Sequence, residues 1–322
     1  MITRRIALTL PALLAAPAVH AQAEWPNRPL RIVVPFPPGG INDIVARPIA
    51  ARMQAAWGQP VVVDNRPGAG GNVGADFVAK STPDGHTLLL GSLGPLVVNT
   101  DLFERMPFDP RIAFVPVSQI AALPMLVCVN AGRPWRTLAE FIAAARAEPG
   151  RLTAGSAGSG SALHIALELF NRAAEMRVTH VPYRGAAPAV TDLVAGQIDA
   201  IIDTLGSIGL QLRAGTVRAL AVAGPERLAQ LPSVPTAVES GLPAFTFGAW
   251  AGLAAPAGTP GPVVERIAAL VAEAMRDAET ATRFTEAGVV PVGGTPAAFA
   301  VLLEGERARL GPLIRAAGIR AE

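Results

Sequence analysis

The stretch Leu30-Arg31-Ile32-Val33-Val34-Pro35-Phe36-Pro37-Pro38-Gly39-Gly40-Ile41-Asn42-Asp43 decides the fold. An apolar, β-branched run stops at prolines and glycines, and a segment of helical periodicity opens directly behind them. Residues 30–34 are therefore read as a buried strand. A helix follows from Asn42 or Asp43, either of which can cap it, to Trp57, with Gly58 as terminator. Pro48 lacks a backbone donor and predicts a kink or a late helix start. The same strand-loop-helix unit recurs along the chain. Strand 61–64 is followed by a glycine loop at 66–74 and a helix to Lys80, and then by strand 87–90. After a helix at 138–147 come strand 152–154, loop 155–160, helix 162–173, strand 178–183 and helix 187–195, which ends at Gly196. Strands 198–202 and 217–222 close the series. Such alternation predicts an α/β architecture built on parallel strands.

Working outward, residues 114–129 form a long apolar segment interrupted by Pro116 and Pro124, the pattern of strands meeting at a domain crossing. Beyond a proline-rich stretch at 232–243, residues 250–254 read as a strand crossing back, and amphipathic helices are expected at 262–278 and 296–310. A chain of 322 residues exceeds what one core usually organises, which points to two lobes. The expected division is a leader at 1–23, the first part of lobe 1 at 24–124, lobe 2 at 125–246, and the remainder of lobe 1 with the C-terminal helices at 247–322.

Composition narrows the classes. Hydrophobic residues at 51% and charged residues at 16% exclude a disordered chain, and 32 glycines and 30 prolines without a period exclude collagen-like sequence. The single cysteine, Cys128, forms no internal disulfide and rules out zinc sites built from several cysteines. Arg4 and Arg5, an apolar run at 6–18 and small residues at Ala21 and Ala23 read as a cleaved export signal, too short to span a membrane. Thr3-Arg4-Arg5-Ile6-Ala7-Leu8 faintly resembles a twin-arginine signal. Without residues 1–23 the chain carries 25 basic and 25 acidic side chains, so no basic surface for nucleic acid is expected. The mature protein is expected to be soluble and periplasmic.

Three chemistries come into question. Gly68-Ala69-Gly70-Gly71-Asn72-Val73 nearly matches a dinucleotide fingerprint, but Val73 stands where a third glycine belongs and no acid ends the next strand. A serine hydrolase would use a serine of 156–161 with His164 and Asp199 or Asp203, yet no serine there has the flanking glycines of a nucleophile elbow. His86, His164 and His180 lack metal-ligand spacing, so no metal and no cofactor are expected. What recurs is a short Gly/Ser loop leading into a helix start, at 37–43, 67–74, 155–162 and 183–187. Helix amino termini present unpaired N–H groups and partial positive charge, and two facing each other across a cleft trap an anion without lysine or arginine. Gly71 is placed nearer the rim of that cleft than Gly158.

The residues Val33-Val34-Pro35-Phe36-Pro37-Pro38-Gly39-Gly40 with Asp43, Ala46 and Arg47, then Gly58-Gln59-Pro60-Val61-Val62-Val63-Asp64-Asn65-Arg66-Pro67-Gly68-Ala69-Gly70-Gly71-Asn72, resemble the Bug family, the periplasmic solute receptors of tripartite tricarboxylate transporters. So do His180-Val181-Pro182-Tyr183-Arg184-Gly185, Val234-Pro235-Thr236, Trp250-Ala251-Gly252-Leu253 and Pro256-Ala257-Gly258-Thr259-Pro260. The resemblance covers essentially the whole mature chain. It implies a type II periplasmic binding-protein fold, two α/β lobes joined by hinge strands and closing on a small organic carboxylate. By position it implies a first jaw at 36–43, with Phe36, Pro38, Gly39, Gly40 and Asp43, backed by Ser92. A second jaw at 156–161 would hold Ser156, Ala157, Gly158, Ser159, Gly160 and His164, with Tyr183, Gly185, Asp203 and Thr204 completing the walls. Pro38 and Pro48 depart from the family pattern. The implied partners are the carboxylate and the permease subunits of a tripartite transporter, with the receptor monomeric and non-enzymatic. The alternatives are the serine hydrolase above and an orphan receptor that signals to a sensor protein.

Overall fold

The computed structural model describes residues 25–321, so the export signal lies outside the described residues. Strand β1 (Leu30–Val34) leads into helix α1 (Ile41–Trp57), followed by β2 (Val61–Asn65), α2 (Asn72–Ala79) and β3 (Thr87–Ser92). Short helices α3 (Asn99–Leu102) and α4 (Pro110–Ala113) bring the chain to β4 (Phe114–Asn130). Then come α5 (Leu138–Ala147), β5 (Thr153–Ser156), α6 (Ala162–Ala173), β6 (Thr179–Pro182), α7 (Ala186–Val194), β7 (Ala200–Thr204), α8 (Leu205–Arg213) and β8 (Val217–Val222). The chain ends with β9 (Gly248–Pro256), α9 (Gly261–Arg276), α10 (Ala278–Glu286), β10 (Val290–Pro291) and α11 (Pro296–Ala317).

The strands run in the order β2-β1-β3-β9-β4-β7-β5-β6, with β8 and β10 added on β4. In the first lobe β2, β1 and β3 are parallel, and in the second β6, β5 and β7 are parallel. The joint is β4, which is one strand and not the interrupted pair that its prolines suggest. Its first part, from Phe114 to Pro124, pairs antiparallel with β9; its second, from Met125 onward, pairs with β7 and β8. Pro116 is absorbed by a register shift to Ser118, a second shift follows between Gln119 and Ala121, and Pro124 pairs with Gly248 at the end of the β9 ladder.

Alternation along β1 sends Ile32 and Val34 to one face, where Ile49 and Met53 of α1 and Ile267 and Val271 of α9 cover them. Val33 and Leu89 face the other way, toward Phe299 and Leu303 of α11, in a core that continues into the second lobe. Both faces are thus buried, as parallel strands require.

Several local expectations are corrected. Helix α1 starts at Ile41, capped by Gly40 rather than by Asn42 or Asp43, and runs through Pro48 as one element. Likewise α11 continues past Leu310 through Pro312 to Ala317. In both cases a packed apolar face outweighs the lost hydrogen bond. Helices α8 and α10 were not anticipated: α8 follows β7 with no loop, so no turn residues announce it.

Helix α11 seats on the central strands through a close approach. A Cβ on Gly252 would lie 2.4 Å from the Phe299 ring and 2.8 Å from the Ser118 carbonyl oxygen. Gly252→Ala is expected to destabilise the protein by about 1–3 kcal/mol through overpacking, read as a lowered midpoint in urea unfolding. An unchanged midpoint would show that α11 does not sit against β9.

Candidate functional site

The loops singled out in the sequence lie at the carboxyl ends of the parallel strands of both lobes, where open α/β sheets take ligands. Their helix starts share a feature. No side chain caps α1 at Gly40, α2 at Gly71, α7 at Gly185 or α8 at Thr204. Helices remote from these loops are capped, α5 by a Thr137–Glu140 capping box, α10 by Asp277 and α11 by Thr295. At α9, Pro262 in the first turn removes one donor. Among the loop helices only α6 has a side-chain cap, with Ser161 accepting from the His164 N–H. The starts of α1 and α8 also come together across the lobes. A Cβ on Gly206 would fall 2.9 Å from Ile41 Cδ1 and 2.5 Å from the Ala287 carbonyl oxygen. Farther along the boundary, Gly160 abuts Leu102 and Ala321 of the first lobe.

The first jaw is held from behind by Asp43. Its Oδ2 accepts from the Gly39 N–H at 3.1 Å and Arg47 Nε at 2.8 Å; its Oδ1 accepts from Arg47 Nη2 at 3.0 Å and Asn65 Nδ2 at 3.1 Å. Asn65 also donates to the Phe36 carbonyl at 3.1 Å, which ties the other end of the loop to β2. Burial opposes ionisation of Asp43, but the hydrogen bonds from Arg47, Gly39 and Asn65 outweigh it and hold the carboxyl below its usual range. Its oxygens being engaged, Asp43 shapes the jaw, while Pro38, Gly39 and Gly40 are exposed at its tip.

The second jaw is held by two histidines. Ser156 is fully buried; its Oγ lies 2.6 Å from His180 Nε2 and accepts from the Gly158 N–H at 3.1 Å. His164 Nδ1 accepts from the Gly160 N–H at 3.0 Å. The two imidazoles stack, centroids 3.8 Å apart and planes within 7°. Burial and the neighbouring His180 push His164 down to about 4, and burial lowers His180 too. Ala157 and Ser159 lie half-buried between these anchors.

The wall residues have their own partners. Tyr183 donates to Asp192 Oδ2 at 2.6 Å, and burial together with Asp192 pushes the phenol up to about 12. Asp203 accepts from the Thr204 N–H at 2.7 Å and the Ser207 hydroxyl at 2.6 Å; burial, only partly offset by these bonds, pushes it up to about 6. Thr204 is buried, Gly185 opens α7, and Ser92 ends β3 opposite Ala251. Gly71 is corrected: it is buried behind the Phe36 ring and Pro95, not at a solvated rim.

The triad envisaged for a hydrolase is dispersed. His164 turns its free nitrogen to a backbone N–H, Asp199 bonds Thr153 and Arg133, and Asp203 bonds Thr204 and Ser207. No group of three metal-ligating side chains gathers among the described residues. The sequence reading passed over Asn65, His180 and the first turn of α8. His180 and Asn65 sit in motifs it had quoted, but their contacts cross between strands, which linear spacing does not show.

Residues 45–319 match the family described as tripartite tricarboxylate transporter family receptor. The chain belongs to that family. It is 35% identical to the protein BugT of Bordetella pertussis, covering 92% of this chain and 91% of BugT. Rpa4515 of Rhodopseudomonas palustris, solved with adipate, superposes with TM-score 0.86 and 36% identity over 93% of this chain and all of that one. MatC of the same organism, solved with malate, gives TM-score 0.81 and 38% identity over 90% of this chain and all of MatC. The type II binding-protein fold implied by the resemblance is thereby shown, as is the class, a solute receptor and not an enzyme class. No helix among the described residues is long and apolar enough to cross a membrane.

The Asp43 clamp carries a pH signature. Because its folded pKa lies below the unfolded value, it contributes stability that is full above about pH 4 and is lost as pH falls through the folded value. Asp43→Asn is expected to cost about 1–3 kcal/mol at pH 7, with the gap to the parent closing toward pH 3. Thermal melts across that range decide it; a pH-independent gap would remove the charge from the account.

Proposed function

We propose that this protein is a periplasmic receptor that closes its lobes on a small organic carboxylate and delivers it to a membrane permease. The observation that carries the reading is the set of uncapped helix starts gathered at the lobe boundary, since an anion supplies the partner those N–H groups lack. Adipate and malate in the related structures support a carboxylate as that anion. On this reading Gly39 and Gly40 form the tip of the first jaw, and the N–H groups of Gly40, Ile41 and Asn42 take one side of the ligand, the Gly39 N–H being held by Asp43. The loop at 158–160, whose Gly158 and Gly160 N–H groups are held by Ser156 and His164, presents Ser159, which with Gly185 takes the other side, and Phe36, Tyr183 and Thr204 form the walls. Asp43, Ser156 and His164 hold these groups in place. Arg184 lies exposed beside the second jaw, so its replacement by Gln weakens binding only modestly if backbone dipoles do the work.

The sharpest test uses Gly40. Its φ of −76° and ψ of 169° suit any residue, and its nearest neighbour to an added Cβ is the Pro37 carbonyl at 3.6 Å. An aspartate there is a good N-cap, so Gly40→Asp is expected to keep or raise the melting temperature. It also places a carboxylate where the ligand's own belongs, and the affinity for adipate or malate is expected to fall at least tenfold by calorimetry. Gly158→Asp is less clean, because φ of +123° and the Tyr183 carbonyl 3.1 Å away would strain the loop itself. Undiminished binding by a folded Gly40→Asp would place the anion elsewhere. A thermal-shift series of mono-, di- and tricarboxylates with the parent protein names the ligand class.

A further inference from the structure

We propose that the stacked His164–His180 pair is the positioning device of the second jaw, holding its glycine loop in place while both rings are neutral and releasing it when His164 is protonated. The inference rests on the receptor reading above. Each ring fixes a different point of one loop. His164 Nδ1 accepts the Gly160 N–H, so this nitrogen carries no proton and the ring's own proton is on Nε2. His180 Nε2 meets the Ser156 hydroxyl, whose oxygen in turn accepts the Gly158 N–H. Two N–H groups of the glycine loop are thus set by imidazoles that touch face to face.

Protonation undoes this arrangement. A proton on His164 Nδ1 would face the Gly160 N–H at 3.0 Å, donor against donor, and two imidazolium rings at 3.8 Å would repel. The surroundings offer His164 little compensation. On its own helix Glu168 Oε1 lies 3.8 Å from Nε2, too long for a hydrogen bond, and burial pushes that acid up toward its neutral form. Arg172 and Glu175 lie farther along a cavity of about 400 Å³ between α6 and α11, to which α11 contributes only apolar side chains such as Leu310 and Ile314. Beyond the loop, Tyr183 and Asp192 are bonded to each other. The folded value of about 4 for His164, against 6.5 unperturbed, means that opening the loop takes up protons. The closed jaw therefore loses stability progressively as pH falls from 6.5 toward 4.

The test has a ligand-free arm and a binding arm. NMR of the His164 and His180 rings and of the Gly158 and Gly160 amides is followed from pH 8 to 4 without ligand. Both rings are expected to stay neutral to below pH 5, and the two amides to shift with them. A ring titrating near 6.5, or a Gly160 amide indifferent to His164, overturns the proposal. Adipate and malate affinities are then measured at pH 7.5 and 3.5, either side of the His164 value of about 4, for the parent, His164→Phe and His164→Asn. Phe keeps a stacking ring but offers no acceptor, and at least a tenfold loss is expected at pH 7.5. Asn restores an acceptor that cannot be protonated; it is expected to recover most of that loss and to change the parent-to-variant ratio at least threefold between the two pH values. The ligand's own titration cancels in that ratio. A Phe variant binding like the parent, a constant ratio, or a parent that binds more tightly in acid relative to Asn overturns the proposal. Should the parent bind neither adipate nor malate, the carboxylate reading fails and the ligand-free titration alone decides this one.

Discussion

The molecule hangs on the ladder between β4 and β9. These strands carry the connection between lobes, and they part at a paired position, Pro124 opposite Gly248. Proline supplies no N–H to the ladder and glycine no side chain to brace it, so strand pairing is weakest where the chain changes lobes. On either side the pairing is strong: Ala121, Leu253 and Ala254 are buried in the first lobe, and Met125, Val127 and Cys128 in the second. The burial that makes Cys128 inert, with its thiol pushed up by desolvation and Asp203, is the same burial that makes each lobe rigid up to that point. The closing motion proposed above would therefore be concentrated in a few residues rather than spread through the sheets.

Rigid lobes are useful only if the loops they carry are equally well placed, and each jaw is set by a buried polar cluster rather than by its own sequence. In the first, Asp43 reaches back from the third helical position to the Gly39 N–H while Asn65 holds the Phe36 carbonyl from the next strand. In the second, the histidines and Ser156 do the same for Gly158 and Gly160. The side chains take only some of the loop donors, and the starts of α1, α7 and α8 carry no side-chain cap. Preorganised dipoles of this kind bind an anion without reorganising at the moment of binding.

The elements that were legible in the sequence are those whose signals are local. Residues 138–147, 162–173 and 217–222 carry a complete period with a stop at each end, and they occur with those bounds. Helix α8 was not legible because β7 passes into it at Thr204 without a glycine or proline, so the strand signal masks the start. The continuity of β4 was hidden by Pro116, which is absorbed by a register shift, and by Pro124, which stands opposite Gly248 where the partner changes, features visible only in the pairing. The loops of the site could be read because glycine runs before helices are local. The histidine contacts could not, since His180 reaches Ser156 from the neighbouring strand, through register rather than spacing.

The charge distribution then explains why the cleft needs no lysine. Arg47, one turn into α1 behind the first jaw, is already neutralised by Asp43, and residues 24–322 are balanced in charge overall. An anion entering this cleft meets partial charges on N–H groups at close range and little long-range field. Such an interaction is short in reach and shielded from mobile ions once the lobes close, so affinity depends weakly on salt and strongly on whether the ligand's carboxylate fits between two fixed helix ends. Selectivity is then a matter of spacing. In the proposed binding mode, the distance between the α1 and α8 first turns, set through Ile41 and Gly206, would decide which acids bridge the lobes.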